Sequence, residues 1–259
     1  MISITPRSAE LRKQTDVYIS DVKSIIQDSL AAAQASSTFA DIYHVSLSAD
    51  TVLSGFTSTK LRPQLAGARS IILRVPMLVG IGQQSVAMVE LRRFLELVCW
   101  TVYFSDHPVE WRSFEVDSVA GFSQDTRKPI SYSAHRELGH YIEYARELMS
   151  SEASGLAVGA VDGIKQVSRE LNANVHAGQA AKAKVTKPPH EDVSNAMLRK
   201  FCGVQRQVFS SGCILLAAYQ RSQFDRFSAS ARAHFDWLVG SRVRKQVRQG
   251  PFGLPPMRS

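Results

Sequence analysis

Apolar positions recur along most of this chain at the three- and four-residue spacing of a helix face. Over residues 8–35, Leu11, Val17, Ile19, Val22, Ile25, Ile26 and Leu30 form an irregular apolar stripe, with Ser8 placed to cap the start. The pattern then blurs. Ile42 to Leu47 fits either a short strand or a helical turn, and the Ser, Thr and Gly residues up to Thr59 read as a loop. A helical pattern returns over 64–75, where Pro76 should kink or end it, because proline lacks the amide donor and clashes with the preceding turn. The most apolar element covers 83–104. Val86, Val89, Leu91, Phe94, Leu95, Leu97, Val98, Cys99, Val102, Tyr103 and Phe104 surround nearly the whole helix, which predicts the central, buried one. Along it, Glu90 with Arg93 and Arg92 with Glu96 are spaced to pair.

Asp106-His107-Pro108-Val109-Glu110-Trp111 reads as a turn opening a short helix or loop, and 121–129 as a polar connection. Leu138, Tyr141, Ile142, Ala145 and Leu148 predict a helix over 133–149. Another is expected over 155–177, with Gly178 as its C-terminal stop. Ala, Gly and Lys followed by Pro188-Pro189 mark 177–193 as a linker. Two further helices are expected over 192–220 and 228–248. There is no internal repeat. The expectation is an all-α bundle of about seven or eight helices, forming a single helical domain over 1–249, with 250–259 as a flexible tail rich in Gly and Pro.

Composition narrows the class of protein. With 259 residues, 44% hydrophobic and 21% charged, the chain can bury a substantial core, and disorder is not expected outside the linker and tail. The excess of 31 Lys and Arg over 23 Asp and Glu, a net charge of +8, suits a polyanionic partner, nucleic acid before a membrane surface. Cys99, Cys202 and Cys213 are far apart and lie in apolar sequence, as core residues do in a reducing compartment. The opening Met-Ile-Ser-Ile-Thr-Pro has no basic region followed by an apolar run, so no signal peptide is expected. The apolar stretch 75–89 is too short to span a bilayer and is bounded by Arg74 and Glu90. These features predict a cytoplasmic protein with no membrane partner.

Candidate chemistry centres on Arg169-Glu-Leu-Asn-Ala-Asn-Val-His176. At about 100° per residue, seven positions bring His176 back to within about 20° of Arg169, with Asn172 on the same side and Lys165 one turn earlier. Ile164, Val167, Leu171 and Val175 fall on the opposite face and should pack inward. The same pattern also describes the solvated side of an amphipathic helix whose last-turn His complements the helix dipole.

Arg followed by His after six intervening residues, late in a helix of an all-α chain, resembles the HEPN superfamily of endoribonucleases and defence or toxin proteins. The Leu-Asn-x-Asn-Val-His-x-Gly ending at 171–178 is similar to a Leu-Ser-x-x-Val-His-Gly ending in several HEPN-like families. Leu91-Arg-Arg-Phe-Leu-Glu-Leu97 followed by Tyr103-Phe104 resembles the Arg-containing helix that precedes the motif helix in such families. The likeness covers roughly residues 60–180. Catalytic members usually carry Asn, Asp or His directly after the Arg, whereas this chain has Glu170 there.

The resemblance implies RNA cleavage without a metal or other cofactor, in a bacterial antiviral-defence or toxin–antitoxin system. His176, with an ordinary pKa near 6.5, would move a proton at the 2′-hydroxyl or the 5′-oxygen, and Arg169 would hold the phosphate. Asn172 would orient His176 or bind a phosphate. One His cannot easily serve both proton transfers, and the resemblance implies a homodimer, or a pseudo-dimer with a related subunit, that completes the cleft. The alternative is a non-catalytic helical subunit that holds nucleic acid or partner proteins in a larger assembly.

Other constellations are weaker. His135-Arg-Glu137-Leu-Gly-His140 contains a Glu-x-x-His step used in di-iron bundles, but no second such step exists. Only Glu90, Glu96 and Glu143 offer further helical carboxylates, so no metal site is expected. The basic run Arg242, Arg244, Lys245 and Arg248 follows Phe235 and Trp237, a combination suited to a phosphate backbone and unpaired bases. Arg226, Arg232 and His234 add positive character, while His107 beside Asp106 reads as a structured turn.

Overall fold

A computed structural model describes residues 6–57, 62–109, 138–152, 155–180, 193–240 and Arg244. The described residues form helices and no strand, as the periodicity requires. They are α1 (Pro6–Gln34), α2 (Ser37–Ser54), α3 (Arg62–Gly80), α4 (Gln84–Asp106), α5 (Leu138–Glu152), α6 (Gly155–Ala180), α7 (Asn195–Tyr219), the one-turn α8 (Arg221–Phe224) and α9 (Ala229–Val239). No helix among the described residues is long and apolar enough to cross a membrane.

α4 is the hub. It packs on α3, α5, α6 and α7, while α2 is covered by α3, α7 and α9. Leu91, Phe94, Leu95 and Val98 are fully buried, because a helix with neighbours on several sides must be apolar on several faces. The burial is not complete, however. Val86 and Val89, in the first two turns of α4, are exposed. α7 crosses α4 at Gly212. A Cβ there would stand 2.7 Å from Cε1 of Phe94, so glycine is what lets the two helices approach. Phe94 in turn meets the Phe209 ring edge-on at 4.8 Å, a favourable aromatic geometry.

Four sequence expectations are corrected or narrowed. Residues 37–54 form a full helix where a strand or turn followed by a loop was expected. Its buried face interleaves Ser46 and Ser48 with Ile42, Val45, Ala49 and Val52, which dilutes the apolar period. Those serines are accommodated because polar partners meet them across the core. Gln205 Nε2, itself buried, donates to Ser46 Oγ (2.8 Å) and the Ile42 carbonyl (3.1 Å), and Ser48 Oγ lies 3.0 Å from His234 Nδ1.

Of the two outcomes expected at Pro76, a kink or an end, the end is excluded, since α3 continues to Gly80. The missing amide costs one hydrogen bond, and the burial of Ile72, Val75 and Val79 offsets it. Gly178 does not stop α6, which runs to Ala180. A glycine whose backbone turns left-handed is one common way to end a helix. Gly240, at φ +93°, marks such an end for α9, so the helix expected over 228–248 is broken after Val239, with Arg244 helical again beyond it. The turn expected from Asp106 begins where α4 ends, with His107 outside a helix and Pro108 and Val109 helical, while residues 110–137, with the polar connection, lie outside the described residues, as do most of the linker and the tail.

Candidate functional site

α6 is amphipathic in the way its spacing predicts. Ile164, Val167 and Leu171 are buried, and Lys165, Ser168, Arg169 and Asn172 occupy the other side. That side is no flat solvated surface. Together with Arg92 of α4 and Leu138, Gly139 and Ile142 of α5, it lines a groove of about 410 Å³. Gly139 leaves open space where a side chain would stand, which keeps this wall low.

Three cations thus converge on one groove from two helices. Two of them are answered. Lys165 pairs with Glu143 across α5 and α6, and Arg92 Nε pairs with Glu96 Oε1 at 3.1 Å, one turn along α4. The Lys165 ammonium holds the Glu143 carboxyl below the usual carboxylate range, first by its hydrogen bond and then by its charge. A neighbouring pair, Arg146 with Asp162 at 3.2 Å, repeats the cross-link between the same helices. Arg169 is exposed and has no ion-pair partner among the described residues. Ser168 is buried and donates to the Lys165 carbonyl at 3.0 Å. Asn172 Oδ1 is buried with no hydrogen-bond partner among the described residues, so a donor reaching it would relieve the cost of desolvating that oxygen.

His176 belongs to the same helix, but its side chain is outside the described residues, as is that of Val175. The helix places its backbone about 6 Å beyond Asn172 and about 10 Å beyond Arg169 along the axis. Arg169, Asn172 and Lys165 are therefore brought together on one wall, with the His176 position further along the same side.

The basic run behaves differently. Arg244 pairs with Asp236 at 2.7 Å, while Arg242, Lys245 and Arg248 lie outside the described residues. The aromatics before it enter a separate cluster. The Trp237 and His44 rings lie 4.0 Å apart, tilted by 35°, and the guanidinium of Arg206 lies 4.6 Å from the Trp237 ring. Arg206 also donates to the Trp237 carbonyl at 2.7 Å. Arg232 is turned inward, its Nε donating to the Phe227 carbonyl at 2.8 Å. Of the Glu-x-x-His candidate, His135 and Glu137 lie outside the described residues, and His140 is exposed beside the Tyr103 and Tyr141 rings. Among the described residues no group of three or more His, Cys, Asp or Glu is placed to hold a metal ion.

Sequence reading missed Arg92 as a lining residue of the groove. Its i, i+4 partner was visible, but which face of α4 would meet α6 was not. The His44, Arg206 and Trp237 cluster had no sequence signal, since its members come from three helices far apart in the chain. No family model, curated protein or solved structure matches this chain.

Proposed function

We propose that this protein binds RNA through the groove between α4, α5 and α6 and cleaves it without a metal, as a HEPN-like endoribonuclease of a bacterial defence or toxin system. The observation that carries the reading is the wall of α6. Among the described residues, Arg169 has no carboxylate partner and stands beside Asn172, whose buried oxygen has no donor. A ribonucleotide supplies both complements, phosphate oxygens for the guanidinium and a 2′-hydroxyl donor for the amide oxygen. Lys165 and Arg92 raise the local potential, while their carboxylate partners Glu143 and Glu96 limit it.

In this reading Arg169 holds the scissile phosphate and stabilises charge as it builds on phosphorus. His176 takes the proton from the 2′-hydroxyl or delivers one to the leaving 5′-oxygen, and Asn172 positions the ribose or the imidazole. The 2′-oxygen attacks phosphorus, the bond to the 5′-oxygen breaks, and the products are a 2′,3′-cyclic phosphate and a 5′-hydroxyl. A second copy of the motif, from a homodimer or a related subunit, supplies the other proton transfer.

The ion pairs on Lys165 and Arg92, with Glu170 beside Arg169 in the chain, favour a second reading in which the groove holds RNA or a partner without cutting. One experiment separates the two. The purified chain is incubated with end-labelled RNA in excess EDTA, alongside Arg169→Ala and His176→Ala, while binding is followed across a salt series. Expected results are cleavage by wild type to cyclic-phosphate ends, loss of cleavage in both variants, and an Arg169→Ala salt slope shallower by about one. Binding without cleavage selects the scaffold reading. Cleavage surviving both substitutions places the chemistry elsewhere, and no RNA binding at low salt rejects both readings.

A further inference from the structure

α1 is 29 residues long, about 44 Å, yet only its last turns are built into the bundle. Ser29 and Ala33 are buried where the helix rests on α2 and α3. Ahead of them the helix emerges. Residues 15–20 are all exposed, including Tyr18 at 55% and Ile19 at 45%, and Val22, Ile25 and Ile26 are only half-buried. Helices in water owe most of their stability to the packing of an apolar face, and over residues 15–26 this face is exposed or only half covered.

The face has an ordered pattern. Thr15, Ile19, Val22, Ile26, Ser29 and Ala33 recur at alternating steps of four and three, the a and d seam of a heptad. Asp16 and Lys23 fall on one flank (e positions), and Tyr18 and Ile25 on the other (g positions). Pairing this helix with itself in parallel would set Asp16 against nothing complementary and would oppose Arg12 to its own copy in the seam. In an antiparallel pair, e positions face e positions and g face g. With Ile19 opposite Val22 of the other copy, Thr15 meets Ile26, Asp16 meets Lys23, and Tyr18 meets Ile25. The two-fold axis repeats each of these contacts. Arg12 then falls opposite Ser29 instead of itself.

We propose that the exposed part of α1 is a dimerisation arm that pairs antiparallel with α1 of a second copy of this chain, over Thr15 to Ile26. The charge pattern of the arm is complementary to itself in that orientation, which selects a second copy as its occupant. The seam is short and contains Thr15, so the association belongs to the weak, concentration-dependent class. It shares no residue with the groove between α4, α5 and α6 and is independent of whether that groove binds RNA.

Sedimentation equilibrium of the full chain over a range of concentrations tests it. Wild type should show a reversible monomer–dimer equilibrium. Val22→Asp, which enters the seam twice per dimer, should weaken it about 100-fold. Asp16→Lys and Lys23→Asp should each weaken it about tenfold, and the two together should restore it. Circular dichroism of each variant at a concentration where wild type is monomeric checks that the bundle is intact. Orientation is read by disulfide trapping. Thr15→Cys mixed with Ile26→Cys should cross-link, and neither should cross-link with itself. A chain that stays monomeric, a dimer indifferent to Val22→Asp, failure of the double charge swap to restore pairing, or Thr15→Cys cross-linking to itself would each overturn the proposal.

Discussion

Asp106 shows how one residue can join helices that are distant in the chain. Its carboxylate accepts hydrogen bonds from the Tyr144 hydroxyl of α5 (2.7 Å) and the Tyr219 hydroxyl of α7 (2.6 Å), at the end of α4. Next to it, His107 caps α4, its Nδ1 lying 2.8 Å from the Tyr103 carbonyl and its ring stacked on Tyr103 at 4.2 Å. Burial pushes both phenols above their ordinary pKa of about 10, and the hydrogen bonds to Asp106 push them further. A folded-state pKa raised above the unfolded value favours the protonated, folded form. This stability is fully present below about pH 10 and is lost as pH rises through the raised values. Asp106→Ala should lower stability at neutral pH by about 1–3 kcal/mol in urea unfolding, chiefly by leaving the buried Tyr219 hydroxyl without its acceptor. Tyrosinate absorbance should then rise at lower pH than in wild type. Only part of the shift should disappear, since burial is its larger cause, and an unchanged titration would show that Asp106 does not hold the phenols. None of this was legible in the sequence, where Asp106 next to His107 signalled only a turn.

At the scale of elements, the close crossing of α4 and α7 is set by Gly212. Gly212→Ala would drive a Cβ into the Phe94 ring, which is fully buried and has nowhere to retreat. The expected cost is about 1–3 kcal/mol, read as a lower urea midpoint with little change in slope. The same substitution at Gly139, where the added Cβ meets open space, should be neutral or mildly stabilising by helix propensity. A destabilised Gly139→Ala or an unaffected Gly212→Ala would refute this contrast. The long apolar runs made α4 and α7 readable, because an element buried on several sides is apolar on several sides. α2 was not readable. Its buried serines are satisfied by Gln205 and His234, which arrive from other helices, so local periodicity understated its burial.

Across the whole molecule, the three thiols report how the core is closed. Cys99 and Cys213 are fully buried and Cys202 half-buried, all of them free, in keeping with their apolar sequence surroundings. Burial pushes the Cys99 thiol up to about 12 and raises Cys213 and Cys202 as well. A soluble thiol reagent should modify Cys202 first, and Cys99 and Cys213 only at the rate of global opening, which denaturant accelerates. Equal rates at all three would mean that the α4 and α7 core opens far more readily than its packing implies.

What the sequence determined by itself was what nearest neighbours along a helix decide. The all-α class, the central α4, the Glu90–Arg93 and Arg92–Glu96 pairs, and the division of α6 into an apolar and a polar side all follow from period and spacing. Tertiary structure decided which surfaces meet. It turned the polar side of α6 into a groove by setting α5 and Arg92 against it, answered Lys165 with Glu143, carried α3 through Pro76, and left the stripe of α1 only partly covered. The physical reason is range. Periodicity records that a face will be buried or wet, but the identity of the covering partner depends on contacts between residues remote in the chain, which no local pattern encodes.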